Sequence, residues 1–123
     1  MTECRKKADE FLKEFYASSD DEAYMLSVVE EADSLKNELG GELPAGLGFT
    51  EDVRGRLISL ELMRRVMDSI CGALSESEKQ VMQGVYRDRL SADQIAADLD
   101  RERSEVYRIK NRMLDRIGRL LGG

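Results

Sequence analysis

The residue types best suited to chemistry in this chain lie between Arg103 and Arg112, near the C-terminus. Arginine donates paired hydrogen bonds to guanine or contacts phosphate, and asparagine pairs in a similar two-point way with adenine. Serine and tyrosine hydroxyls also contact phosphates. Such residues on one helix face are typical of a surface that binds duplex DNA. The candidate DNA-binding residues are Arg103, Ser104, Tyr107, Arg108, Asn111 and Arg112.

The surrounding sequence predicts a three-helix module that would position these residues. Two capping boxes, Ser75 to Glu78 and Ser91 to Gln94, predict the starts of the first two helices. A third helix is predicted over about 103–121, with apolar residues such as Val106 turned inward. A short helix joined by a tight turn to a longer one is typical of a helix-turn-helix, whose second helix enters the major groove.

Residues 74–117 resemble region 4 of bacterial sigma factors. The resemblance implies a helix-turn-helix with one face toward DNA and another toward the flap of RNA polymerase. The turn departs from the family pattern, because Asp100, Arg101 and Glu102 stand where Gly, an apolar residue and Ser are usual. Aspartate tolerates left-handed geometry, but glutamate is a poorer cap than serine. The matching residues are Leu74, Ser75, Tyr86, Leu90, Ser91, Ile95, Ala96, Leu99, Val106, Arg112 and Leu114.

The layout of the whole chain is similar to small phage and prophage transcriptional regulators of the RinA/ArpU type. In that group the implied role is the activation of late phage genes. A complete sigma factor is not expected, because the residues before the module are too few for the region that melts the promoter.

Helical periodicity predicts an all-α fold with no sheet. An N-terminal helical hairpin is predicted over 1–39, with a break near 17–21, followed by a Gly-rich linker over 40–50. A long apolar helix is predicted over 51–74, and the helix-turn-helix domain over 75–123. The long helix is apolar on more than one side, which favours either self-association as a homodimer or larger assembly, or packing between the hairpin and the C-terminal module.

Charge is distributed unevenly along the chain. The formal net charge is −6, but residues 103–119 carry six basic and two acidic side chains, a local charge of +4. Because salt screens charges beyond about 8–10 Å, a local basic surface suffices for phosphate contact. The acidic remainder should weaken non-specific DNA binding.

Composition makes catalysis and metal binding unexpected. The chain has no histidine, and Cys4 and Cys71 lie far apart in sequence. No catalytic residue, metal or cofactor is therefore predicted, and the cysteines fit reduced thiols in a cytoplasmic protein. No secretory leader or membrane span is expected.

Two other interpretations of the C-terminal module stay open. It could be a plain three-helix bundle with a solvated basic face. It could also be a helix-turn-helix that contacts a protein, for instance one that mimics sigma region 4 and binds RNA polymerase or another host protein. The residue types of the exposed face favour duplex DNA as the partner.

Overall fold

A computed structural model describes residues 2–41 and 49–122, and their regular structure is entirely helical. The predicted all-α class is therefore confirmed, and no described segment forms a strand. None of the described helices is both long enough and apolar enough to cross a bilayer. The helices are α1 (Glu3–Glu38), α2 (Phe49–Ala73), α3 (Glu76–Met82), which continues into a π-helical turn (Gln83–Arg87), α4 (Ala92–Leu99) and α5 (Arg103–Leu120).

The first helix is uninterrupted, so the predicted hairpin within residues 1–39 is wrong. Serine and aspartate at positions 18–21 favour helix caps, which is why the pattern predicts a break. In a helix interior, however, each such residue costs at most about 0.7 kcal/mol relative to alanine, and no glycine or proline interrupts the stretch. Leu12 and Met25, on either side of it, are fully buried. Packing of the two flanking segments therefore outweighs the local preference for a turn.

The chain forms two compact units. One comprises Ala17–Arg65, where Met25 and Leu60 are fully buried. Ion pairs between α1 and α2 also lie in this unit, with Arg64 Nη1 2.6 Å from Glu22 Oε2.

The other unit comprises Met1–Tyr16 together with Val66–Gly123. The predicted C-terminal domain over 75–123 is thus completed by the start of α1 and the end of α2. This explains part of the apolar excess of α2, since its last turns belong to the core of this unit. The core residues are Ala8, Leu12, Met67, Ile70, Leu74, Met82, Tyr86, Met113, Leu114 and Ile117.

The predicted linker over 40–50 lies mainly outside the described residues, since 42–48 are not described. At its start, Gly40 and Gly41 have φ of +79° and +101°. Glycine adopts these angles readily and commonly follows a helix C-terminus. At its end, Phe49 already belongs to α2, which begins two residues before the predicted start at 51.

Candidate nucleic-acid interface

Helices α3, α4 and α5 share a small core of their own. Ala96, a small residue of α4, is 7% exposed. Gly84 in the π-helical turn also lies against α4, because a Cβ added there would be 3.0 Å from Ile95 Cγ1. These small residues let the helices approach each other. The core consists of Val81, Ile95, Ala96, Val106 and Ile109.

Both predicted capping boxes are confirmed. At α4, the Gln94 N–H donates to Ser91 Oγ at 3.2 Å, and the Ser91 N–H donates to Gln94 Oε1 at 2.9 Å. At α3, the same two hydrogen bonds join Ser75 and Glu78, at 3.3 and 3.0 Å. Each box satisfies backbone donors that a helix N-terminus otherwise leaves free.

The turn between α4 and α5 contains Asp100, Arg101 and Glu102. Asp100 is left-handed, with φ 53° and ψ 49°, and its N–H donates to Ala97 O at 3.2 Å. The next N–H, of Arg101, donates to Ala96 O at 2.9 Å. Glu102 occupies the N-cap of α5 without a capping hydrogen bond from its side chain. The turn is therefore held by backbone hydrogen bonds.

The structure exposes all six candidate residues on the N-terminal half of α5. Val106 and Ile109, between them in sequence, are 2% and 5% exposed and face the core. Because an α-helix turns about 100° per residue, the six side chains cover roughly half of the helix circumference. We call this surface the α5 face: Arg103, Ser104, Tyr107, Arg108, Asn111 and Arg112.

Arg103 is held at the start of the α5 face by two neighbours. Its Nη2 donates to the Tyr107 hydroxyl at 3.2 Å, and its guanidinium carbon lies 5.7 Å from the centre of the Tyr107 ring. Its Nε lies 3.8 Å from the Asp93 carboxylate of α4. An arginine held over an aromatic ring loses less freedom on binding than a mobile one.

Arg112, at the other edge of the α5 face, has an acidic partner in the fold. Its Nε lies 3.8 Å from Oε2 of Glu78, and Arg116 Nη1 lies 3.3 Å from Oε1 of the same carboxylate. The Glu78 residue is fully buried, whereas about half of each arginine side chain is exposed. Part of the positive charge of Arg112 is thus offset by Glu78 within the fold.

The basic residues of α5 do not form one continuous surface. Lys110 lies over the ring of Tyr86, with Nζ 6.0 Å from its centre. Arg108 makes no ion pair with any residue in the described part of the chain. The local charge of +4 is therefore divided, and Arg108 and Arg103 carry the positive charge of the outward surface.

The N-terminal segment of α1 covers the second half of α5. A Cβ at Gly118 would overlap Cys4, so α1 lies directly against the helix there. Arg5 donates to the Asp115 carboxylate from Nε at 2.8 Å and from Nη2 at 3.1 Å. This hydrogen-bonded pair holds the pKa of Asp115 below its usual range. The start of α1 thus covers the side of α5 that carries Asp115 and Gly118, whereas the candidate residues between 103 and 112 stay exposed.

A second contact joins α1 to the module. The Tyr86 hydroxyl donates to Asp9 Oδ1, and Lys13 Nζ lies 2.9 Å from Asp9 Oδ2. Partial burial of Asp9 acts to raise its pKa, but these two hydrogen bonds outweigh burial and leave the pKa below its usual value. Burial and the bond to Asp9 raise the pKa of the Tyr86 phenol far above its usual range. The pair anchors the π-helical turn to α1.

The sequence analysis did not predict that two acidic residues, Asp93 and Glu78, lie beside arginines of the α5 face. The sequence does show that each lies in the first turn of a capped helix. Because they approach α5 only in three dimensions, sequence spacing alone does not reveal the contacts.

Comparison of the chain with family models, with curated proteins and with solved structures finds no match.

Proposed function

We propose that the chain is a DNA-binding transcriptional regulator that presents α5 to the major groove of duplex DNA. The observation that carries the proposal is the α5 face, where hydrogen-bonding side chains stay exposed on the part of the helix that α1 leaves uncovered. The short capped helix α4 and the backbone-held turn precede it, as in a helix-turn-helix.

The α5 face suggests different roles for its residues. Arg103 lies in the first turn of α5, where side chains of a recognition helix reach base edges, and its guanidinium donates a hydrogen bond to the Tyr107 hydroxyl. Arg108 lies further along the helix with its charge unpaired among the described residues, which suits a phosphate contact. Asn111 and Arg112 complete the surface, although Glu78 offsets part of the charge of Arg112.

The proposal also includes three features from the sequence analysis. The resemblance to small phage regulators implies a phage or prophage role in transcription regulation, and the sequence itself favours a cytoplasmic location and a homo-oligomer. The net charge of −6 should keep non-specific DNA binding weak, so that affinity depends on a specific site.

The test is selection of binding sites from a random duplex library, followed by affinity measurements at two salt concentrations. Arg103→Ala should weaken binding by about 1–3 kcal/mol and relax specificity at one position. Arg108→Ala should weaken binding to all sequences and reduce the salt slope by about one. The control Arg56→Ala, an exposed arginine in the other compact unit, should bind like the parent chain.

A protein partner is the second candidate. It is favoured by the acidic side chains at the α5 face, since Asp93 and Glu78 lie close to two of its three arginines. If no sequence is enriched and both arginine variants bind DNA like the parent, the DNA proposal fails. Binding to purified RNA polymerase, lost in Arg103→Ala and retained in Arg56→Ala, would then support mimicry of sigma region 4.

A further inference from the structure

The outward face of α2 carries an apolar row that no described residue covers. Ile58, Leu62 and Val66 are 64%, 55% and 37% exposed. They are four residues apart and therefore lie on successive turns of one helix face. Leu60 and Met67, on the opposite face of the helix, are buried. An exposed apolar row on a charged helix is typical of a surface that binds a partner.

The two edges of this row differ in charge. One edge carries charges of alternating sign, in the order Arg54, Glu61, Arg65 and Asp68. The other edge carries the uncharged Ser59 and Met63 beside Leu62, and its charged residues, Asp52 and Arg56, lie nearer the start of the helix. Beside Leu62, a partner that complements the row must therefore match charges on one side only.

We propose that this face of α2 binds α2 of a second copy of the chain in an antiparallel, two-fold pair. In a two-fold interface, a residue that contacts a second residue of the other copy is itself contacted by that second residue's equivalent, so every contact occurs twice. With the axis at Leu62, that leucine meets its own equivalent, and Ile58 meets Val66 of the second copy. The three apolar residues are thereby covered by the same three residues.

Charge complementarity selects the antiparallel direction. In an antiparallel pair related by a two-fold axis, the charged edge of one α2 helix lies beside the charged edge of the other. Glu61 then faces Arg65 of the second copy, and symmetry repeats this pair. In a parallel pair Glu61 and Arg65 would instead face the edge that carries Ser59 and Met63, and neither charge would be matched.

The contacts that Glu61 and Arg65 make within the chain leave both side chains available for a partner. Glu61 lies 4.0 Å from Arg65 and 3.8 Å from Arg64, and all three side chains are 40% or more exposed. Exposed ion pairs of this kind contribute little to the stability of a single chain. The inference does not depend on DNA binding, although the pair would carry two copies of α5.

The first experiment measures self-association of the full chain by sedimentation velocity over a range of micromolar concentrations. Leu62→Asp should weaken association by about tenfold or more, because the interface would bury two facing carboxylates. Leu120→Asp is the matched control, since Leu120 is 52% exposed and belongs to α5. The proposal is overturned if the parent chain stays monomeric at about 100 micromolar, or if Leu62→Asp associates like the parent.

The second experiment tests the direction of pairing. Glu61→Arg and Arg65→Glu should each associate weakly alone, because like charges face each other in the homodimer. An equimolar mixture should associate as well as the parent, since every cross-pair then joins opposite charges. The Glu61–Arg65 pair within one helix is lost in both variants, so mixing cannot restore it. A mixture that associates no better than its components would rule out the antiparallel pair.

Discussion

The buried carboxylate of Glu78 contacts α5 through Arg112, whose Nε lies 3.8 Å from Glu78 Oε2. The other carboxylate oxygen accepts a hydrogen bond from the Ser75 N–H at 3.0 Å and lies 3.3 Å from Arg116 Nη1. Oε2 itself accepts no hydrogen bond from the described residues. A buried charge without a partner is costly, so the two arginines of α5 stabilise Glu78 in place. One side chain thus caps α3 and orients α5.

Removing Arg116 should destabilise the fold more than removing Arg112. Arg116 is the closer of the two to Glu78 and also donates from Nη1 to Ala73 O at 3.2 Å. Arg116→Ala should lower the free energy of unfolding by about 1–3 kcal/mol, and Arg112→Ala by less. Urea denaturation followed by circular dichroism measures both. Equal stability of the two variants would show that Glu78 does not depend on the nearer arginine.

Val106→Asp should unfold the unit that contains α5. Val106 is 2% exposed in the core shared by α3, α4 and α5. An unpaired buried charge costs several kcal/mol. That is a large part of the free energy of unfolding of a typical domain, which is roughly 5–15 kcal/mol. Thermal melting should show loss of the cooperative transition. Tyr107→Asp, at the neighbouring position that is 44% exposed, should melt like the parent chain.

The features predicted correctly from sequence are those that depend on nearby residues. Both capping boxes join residues three positions apart, and the left-handed Asp100 is a preference of one side chain. The buried position of Val106 follows from the helix repeat alone. These properties do not require knowledge of the rest of the fold.

The features that sequence did not predict depend on distant packing. Whether 17–21 turns or continues as helix is decided by what covers the segments on each side, rather than by its own serines and aspartates. The extent of the module is decided in the same way, since Ala8 and Leu12 complete its core from the far end of the chain. Likewise, the charge of Arg112 can be judged only once its distance from Glu78 is known.

Acid should weaken the fold partly through Asp115. Its hydrogen bonds with Arg5, aided by the charges of Arg5 and Arg119, lower the pKa of the folded carboxyl despite some loss of hydration. A folded-state pKa below the unfolded value means that the pair stabilises above the unfolded pKa, which is about 3.9. That stabilisation is lost as pH falls through the lower, folded pKa.

Removal of the Arg5–Asp115 pair should make the free energy of unfolding depend less on pH in acid. Unfolding free energies of the parent, Asp115→Asn and Arg5→Gln should be compared in steps from about pH 5 to pH 2. The parent should lose more stability over this range than either variant. Three curves of the same slope would show that Arg5 does not perturb Asp115.

Asp93→Asn should strengthen DNA binding if the proposed function holds. Asp93 lies 3.8 Å from Arg103 and competes with DNA for its charge, and it also adds a negative charge where phosphates would approach. Affinity should rise about two- to fivefold for all sequences at low salt, and the gain should shrink as salt increases. Asp98→Asn is the matched control: it removes the same charge from the same helix, but Asp98 lies in a groove with Gln80 and Gln83. Equal gains from both variants would indicate a general effect of net charge, whereas a loss of affinity in Asp93→Asn alone would show that Asp93 is needed to orient Arg103.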